Sequence, residues 1–194
     1  DRASISVGQL HYQTKGFRPN NDQTHNVYNA FMQYAVTPKF NVQAEFRRRE
    51  SEHGDLFQDF DPQIFNPNLR REINEYVARA GARYALSQNQ DLLFSGKYLD
   101  RSEKISRNAD FTRLYGFQTE AQHLFRSKHF NSVLGGGVYR LDNDVYRNNV
   151  YMYSNFLLLK NLTATLGLSH DDSKIAFDED VKKRTSKLSP KIGV

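Results

Sequence analysis

Apolar and polar residues alternate along this chain with a period of two. In residues 40–47, Phe40, Val42, Ala44 and Phe46 point one way, and Asn41, Gln43, Glu45 and Arg47 point the other. Residues 76–84 repeat the pattern, with Arg79 and Arg83 opposite Tyr76, Ala78, Ala80, Ala82 and Tyr84. Residues 28–34 set Tyr28, Ala30, Met32 and Tyr34 against Asn29 and Gln33. In residues 115–125 the apolar side is Tyr115, Phe117, Ala121 and Phe125, facing away from Gln118, Glu120 and Gln122. Ala164, Leu166 and Leu168 alternate with Thr163, Thr165 and Ser169. A helical stripe recurs every three or four residues, and none of these segments does so. The pattern predicts ten strands, at 3–14, 24–36, 40–52, 74–86, 91–103, 111–126, 130–142, 149–160, 163–175 and 185–193.

Two segments resist a simple assignment. In residues 91–101, any face that holds Lys97 also holds Leu93 and Leu99; in 150–159 both faces are largely apolar. The connections carry a second signal. Short turns at Thr37-Pro38-Lys39, Ser87-Gln88-Asn89-Gln90, Ser127-Lys128-His129 and Lys160-Asn161 alternate with polar connections at 15–23, 53–73, 104–110, 143–148 and 176–184. In an antiparallel meander this puts every short turn at one end and every long loop at the other.

Composition narrows the architecture. The 194 residues are 38% hydrophobic, below the roughly 45–50% of soluble domains. Aromatics nevertheless reach 13%, far from the aromatic-poor composition of disorder. A single-layer β-barrel with a wet interior reconciles the two, because only one face of each strand needs apolar residues. The expected fold is therefore an all-β, antiparallel, up-and-down transmembrane β-barrel occupying residues 1–194 as one domain, with a long outer loop at 53–73. The longest apolar run, Phe156-Leu157-Leu158-Leu159, is far short of the roughly 18 residues of a membrane-spanning helix. No signal peptide opens the sequence. The absence of Cys excludes disulfides and thiolate metal sites. A net charge of +5, spread along the chain, does not make nucleic acid the expected partner.

Several segments resemble bacterial outer-membrane β-barrel proteins. They are residues 25–49, 54–71, 76–100 and 188–194. Tyr34-Ala35-Val36-Thr37-Pro38-Lys39-Phe40-Asn41-Val42-Gln43-Ala44-Glu45-Phe46-Arg47 reads strand, Thr-Pro-Lys turn, strand. Ala82-Arg83-Tyr84-Ala85-Leu86-Ser87 leading to Asp91-Leu92-Leu93 is a second such idiom, and Ser189-Pro190-Lys191-Ile192-Gly193-Val194 a third. The likeness extends to the barrels of TonB-dependent receptors and of exopolysaccharide export proteins that carry tetratricopeptide repeats. It implies an outer-membrane location and names no substrate. Neither a plug domain nor a helical repeat is present, and the sequence ends on Val194 rather than an aromatic residue. The expectation is a segment of a larger barrel, with a complete ten-stranded barrel as the alternative.

Gln43, Glu45, Arg47, Arg79, Arg83, Lys97, Gln118, Glu120, Gln122, Arg126 and Arg140 are the expected lumen lining. With more cations than anions, such a lumen favours a polar or anionic solute or a polysaccharide. The competing reading is that these charges pair across strands and fill a closed interior. In the longest loop Phe57, Phe60, Ile64 and Phe65 are candidate anchors, and Phe57, Phe60, Asp61 and Phe65 are candidate partner contacts. Asp55, Asp59 and Asp61 lack the glycine and terminal Glu of a calcium loop, and no metal or other cofactor is expected. Ser169 and His170 are neighbours on a strand and point apart, so no catalytic set is assigned and no enzymatic activity is expected.

The expected function is passage or secretion of a polar solute or polymer through a bacterial outer membrane. Membrane lipid, a periplasmic partner or further domains of the same chain are the other expected contacts. The alternatives are a structural or adhesion barrel with a filled lumen and partner-binding loops, and a soluble β-barrel binding protein turned inside out. The last would suit a mean hydropathy of −0.74.

Overall fold

The alternation becomes ten strands in a computed structural model that describes residues 2–57, 61, 64–106, 110–142, 144–159, 161–176 and 182–194. They are β1 (Ala3–Thr14), β2 (Gln23–Thr37), β3 (Phe40–His53), β4 (Arg71–Ser87), β5 (Gln90–Ile105), β6 (Asp110–Arg126), β7 (Phe130–Leu141), β8 (Tyr146–Leu159), β9 (Leu162–Ala176) and β10 (Lys182–Gly193). All pair antiparallel with their sequence neighbours in one ten-stranded sheet of order β1 to β10. The meander is as expected, but the sheet is open: β1 and β10 are its two edges.

The register sorts every strand onto two faces. Phe46, Ala78, Tyr98 and Phe117 follow one another across β3 to β6, as do Glu45, Arg79, Lys97 and Gln118 one step away. The second row belongs to what is here called the polar face, and the first to the apolar face. Lys97 does carry Leu93 and Leu99 with it onto the polar face. In β8 the polar face receives Tyr151, Tyr153 and Asn155, and the apolar face Val150, Met152 and Phe156.

No second layer covers either face among the described residues. Val77 is the single buried apolar side chain there, and it lies on the polar face. Ile5, Val7, Phe46, Phe94, Met152 and Leu166 are exposed on the apolar face. That face is banded. Tyr34, Phe40, Tyr84, Phe125, Phe130 and Phe156 form an aromatic row beside the short turns, with the Phe130 and Phe156 rings 4.9 Å apart. Tyr28, Phe46, Tyr76, Tyr98, Tyr115 and Phe117 form a second row toward the long loops. Between them lie aliphatic and small side chains such as Ala44, Ala80 and Leu134. Charges begin level with this second row and continue past it: Arg48, the register partner of Tyr28 and Tyr76, pairs with Glu50, and Asp100, the register partner of Tyr76 and Tyr115, pairs with Arg113 at 2.7 Å.

The short connections share a construction. A β-bulge precedes three of them, displacing Val36, Leu86 and Leu158 from the ladder. The Thr37 and Ser87 hydroxyls then accept the N–H of Lys39 and Asn89 at 3.2 Å each, closing the turns.

Glycine in β7 serves close approach. The Tyr151 side chain lies across Gly135, where a Cβ would fall 2.5 Å from the ring, and its hydroxyl donates to Glu120. Tyr153 covers Gly167 in the same way. The Gly135→Ala substitution should cost about 1–3 kcal/mol by overpacking against Tyr151. Gly8→Ala, at a site open to 4 Å, should leave stability unchanged. Thermal unfolding followed by circular dichroism compares the two.

Candidate functional site: the polar face and its loop lock

Strand pairing, rather than any single loop, assembles the polar face. The register gathers ten of the eleven expected lining residues on it: Gln43, Glu45 and Arg47 on β3, Arg79 and Arg83 on β4, Lys97 on β5, and Gln118, Glu120, Gln122 and Arg126 on β6. Arg140 is the exception. It pairs with Phe117 and Tyr146, so it belongs to the apolar face, where its guanidinium sits over the Tyr146 ring at 4.9 Å. The three consecutive glycines of β7 give its sequence no clear parity, and Arg140 alone suggested the wrong one. Ser169 and His170 fall on opposite faces, as expected.

Most anions on the polar face are engaged by cross-strand donors. The Glu45 carboxylate accepts from Asn29 (2.8 Å), Arg47 (3.0 Å) and Arg79 (3.1 Å). Glu75 pairs with Arg49, Glu103 with Arg71 and Arg101, and Asp171 with Arg147. Asp91, only 1% exposed, is held by Arg83 at 2.9 Å and by Arg126. Charge is left over. Lys97, Lys187 and Lys191 have no ion pair among the described residues, although Lys191 lies 5.8 Å from the Tyr153 ring centroid. Two clefts open on this face. One, of about 460 Å³, is lined by Gln33, Gln43, Arg83, Ser95, Glu120 and Gln122. The other, of about 280 Å³, is lined by Phe31, Gln43, Glu45, Arg79, Lys97 and Gln118.

At the long-loop end, residues 15–22 are locked to residues 54–57 and 64–70 of the 54–70 connection. Arg18 is buried, donates to the carbonyls of Ile64 (3.1 Å), Asp55 and Phe57, and lies 3.6 Å from the Asp55 carboxylate. Asn20 donates to the Asn66 and Leu69 carbonyls, and Asn21 to the Asp55 carbonyl. Gly54 is required here, because a Cβ would lie 2.1 Å from the Asn20 carbonyl oxygen. Arg70 bridges Asp22 of the first loop and Glu52 of β3, both of which raise its already high pKa.

This construction corrects the expectation of apolar anchors. Phe57 and Ile64 are 72% and 57% exposed, and Phe65 is half-buried; Asp61 is exposed, and Phe60 lies outside the described residues. Polar side chains carry the lock because they bond backbone groups of the loops: Arg18 reaches three carbonyls, Asn20 two and Asn21 one, and Asp55 accepts two N–H groups. Asp55 is not free to bind calcium, since its two oxygens accept the Phe57 and Asn66 N–H groups. Arg18 and Asp55 were not recognisable as partners in sequence; the only local signal was the turn-forming run Pro19-Asn20-Asn21-Asp22.

No protein-family model matches this chain, and no curated protein matches it significantly.

The Asn66 N–H above all, then the Phe57 N–H and the Arg18 charge, hold the Asp55 carboxyl below its usual range against the opposing effect of burial. A lowered native pKa stabilises the lock fully above the unfolded value of about 4, and that contribution disappears as pH falls through the native value. Exchange protection at Phe57 and Asn66 should therefore hold from neutral pH to about 5 and be lost on further acidification. Asp55→Asn should weaken it at neutral pH by about 1–3 kcal/mol. Asp91→Asn should destabilise the sheet by a similar amount, because Arg83 and Arg126 would then share no anion; the melting temperature reads this out.

Proposed function

We propose that this sheet is wall of a bacterial outer-membrane β-barrel, with the apolar face toward lipid and the polar face toward a water-filled lumen that passes a polar or anionic solute or polymer. The observation that carries the reading is the banded apolar face: an exposed aliphatic belt between two aromatic rows. Tyr76 and Tyr84 are eight residues apart on β4. That is about 26 Å of strand, or about 20 Å of membrane thickness at barrel tilt, near the height of a lipid-facing band. On the apolar side of β3 the first charge is Arg48, level with Tyr28 and Tyr76 in the upper aromatic row, and no charge of that strand lies on this face between the two rows. The open edges of β1 and β10 fit the same reading, since unpaired strand edges do not occur in lipid and a wall is completed by pairing at them.

The surplus of unpaired lysines supports preference for anions in the lumen. A second reading, a filled structural or adhesion barrel, is favoured by the dense cross-strand pairing around Glu45 and Asp91, which occupies much of the polar face without any solute.

Ala44→Arg on the apolar face should reduce folded protein in vesicles by about 2–4 kcal/mol, whereas Gln43→Arg, one residue away on the polar face, should not. Planar-bilayer recordings should show a conductance whose anion preference falls in Lys97→Glu. A folded, inserted protein without current would favour the filled barrel, and insertion indifferent to Ala44→Arg would overturn the lipid-facing assignment.

A further inference from the structure

The two ends of the sheet differ in charge, and the short-turn end is the one-sided one. The turns at 37–39, 87–90, 127–129 and 160–161 contain Lys39, Lys128, His129 and Lys160 and no acidic residue. Lys39, Lys128 and His129 are exposed, and none of them has an ion pair among the described residues. The nearest carboxylate on the adjoining polar face, Asp91, is buried and already shared by two arginines that are each about half-exposed, so that cluster adds further positive charge. The long-loop end is mixed by contrast: Arg70 meets Asp22 and Glu52, and Lys174 meets Asp144.

The second observation is apolar. The bulges that precede three of these turns leave Val36, Leu86 and Leu158 exposed by 42%, 45% and 59%. A bulge adds a residue to one strand without abolishing its pairing. Each therefore places an extra aliphatic side chain between the lower aromatic row and a turn tip; the Leu86 turn carries no lysine, and Lys128 stands on a turn without a bulge. Along β2 and its turn, aromatic ring, aliphatic chain and ammonium group (Tyr34, Val36 and Lys39) follow one another toward the end of the sheet. This is the order of environments met on leaving a bilayer: the acyl boundary, then headgroup phosphate.

We infer that the short-turn rim is a docking surface for anionic phospholipid headgroups, with Lys39 and Lys128 at the phosphates and Val36, Leu86 and Leu158 at the acyl boundary. The inference rests on the membrane-wall reading above. It goes further by giving the two ends different lipid preferences. A soluble acidic partner would use the lysines but not the aliphatic anchors beside them.

The full chain is tested against vesicles of pure phosphatidylcholine and of an equimolar phosphatidylcholine–phosphatidylglycerol mixture, with bound and protease-protected protein measured at low salt. The anionic vesicles should bind more tightly, by on the order of fivefold per lysine. Lys39→Gln with Lys128→Gln should remove most of that preference. Lys39→Arg with Lys128→Arg should keep it, which separates loss of charge from misfolding. Lys104→Gln, at the other end of the sheet, should leave it unchanged. Equal loss in the glutamine and Lys104 variants, or a preference that survives the glutamine changes, would overturn the inference while leaving the wall reading intact. Failure to enter either vesicle would defeat the wall reading itself.

Discussion

Everything in this structure follows from the sheet being one layer thick. A single layer has no inside, so its two faces must each suit whatever solvent they meet. Here one face is aliphatic and aromatic and the other is rich in guanidinium, amide and carboxylate groups, and Val77 is the only apolar side chain buried among the described residues. The hydrophobic effect that closes the core of a soluble domain has no interior to act on. What holds the strands in register is the backbone ladder, together with cross-strand side-chain pairs.

That division explains where the polar interactions concentrate. On the polar face Glu45 draws Arg47 of its own strand and Arg79 of β4, and Asp91 draws Arg83 and Arg126 from the strands on either side, which ties β3 to β4 and β4 through β5 to β6. On the apolar face the contacts are ring against ring, as in Phe40 with Tyr84 and Phe46 with Tyr76. The same charges that stitch the sheet also set the electrostatic character of whatever space that face encloses. Stability and selectivity therefore draw on one set of residues, and the unpaired Lys97 stands out because it is free of the first duty.

The loop lock shows a different economy. Eight residues from one connection and part of a longer one are fixed by Arg18, Asn20 and Asn21, each bonding backbone carbonyls of the other loop, and by Asp55, whose carboxylate accepts N–H groups of its own loop. Phe57 remains exposed and Phe65 half-buried. A loop pair lying at the end of a one-layer sheet has little apolar surface beneath it, so satisfying buried carbonyls matters more than hiding rings.

The strand number, the meander, the alternation of short and long connections and the shared face of ten of the eleven residues expected to line a lumen were legible in the sequence, because side-chain period and turn chemistry are local properties. Strand ends agreed closely, with β4, β8 and β10 each starting three residues earlier than their patterns suggested. Arg140 was misplaced because three glycines erase the alternation that would have fixed its face. The Arg18–Asp55 and Asp91 clusters were invisible, since their members are brought together by register and loop docking across up to 37 positions of chain. Local pattern decides which face a residue joins; only the folded sheet decides which residues on that face become neighbours, because pairing partners are set by strand stagger and not by proximity in sequence.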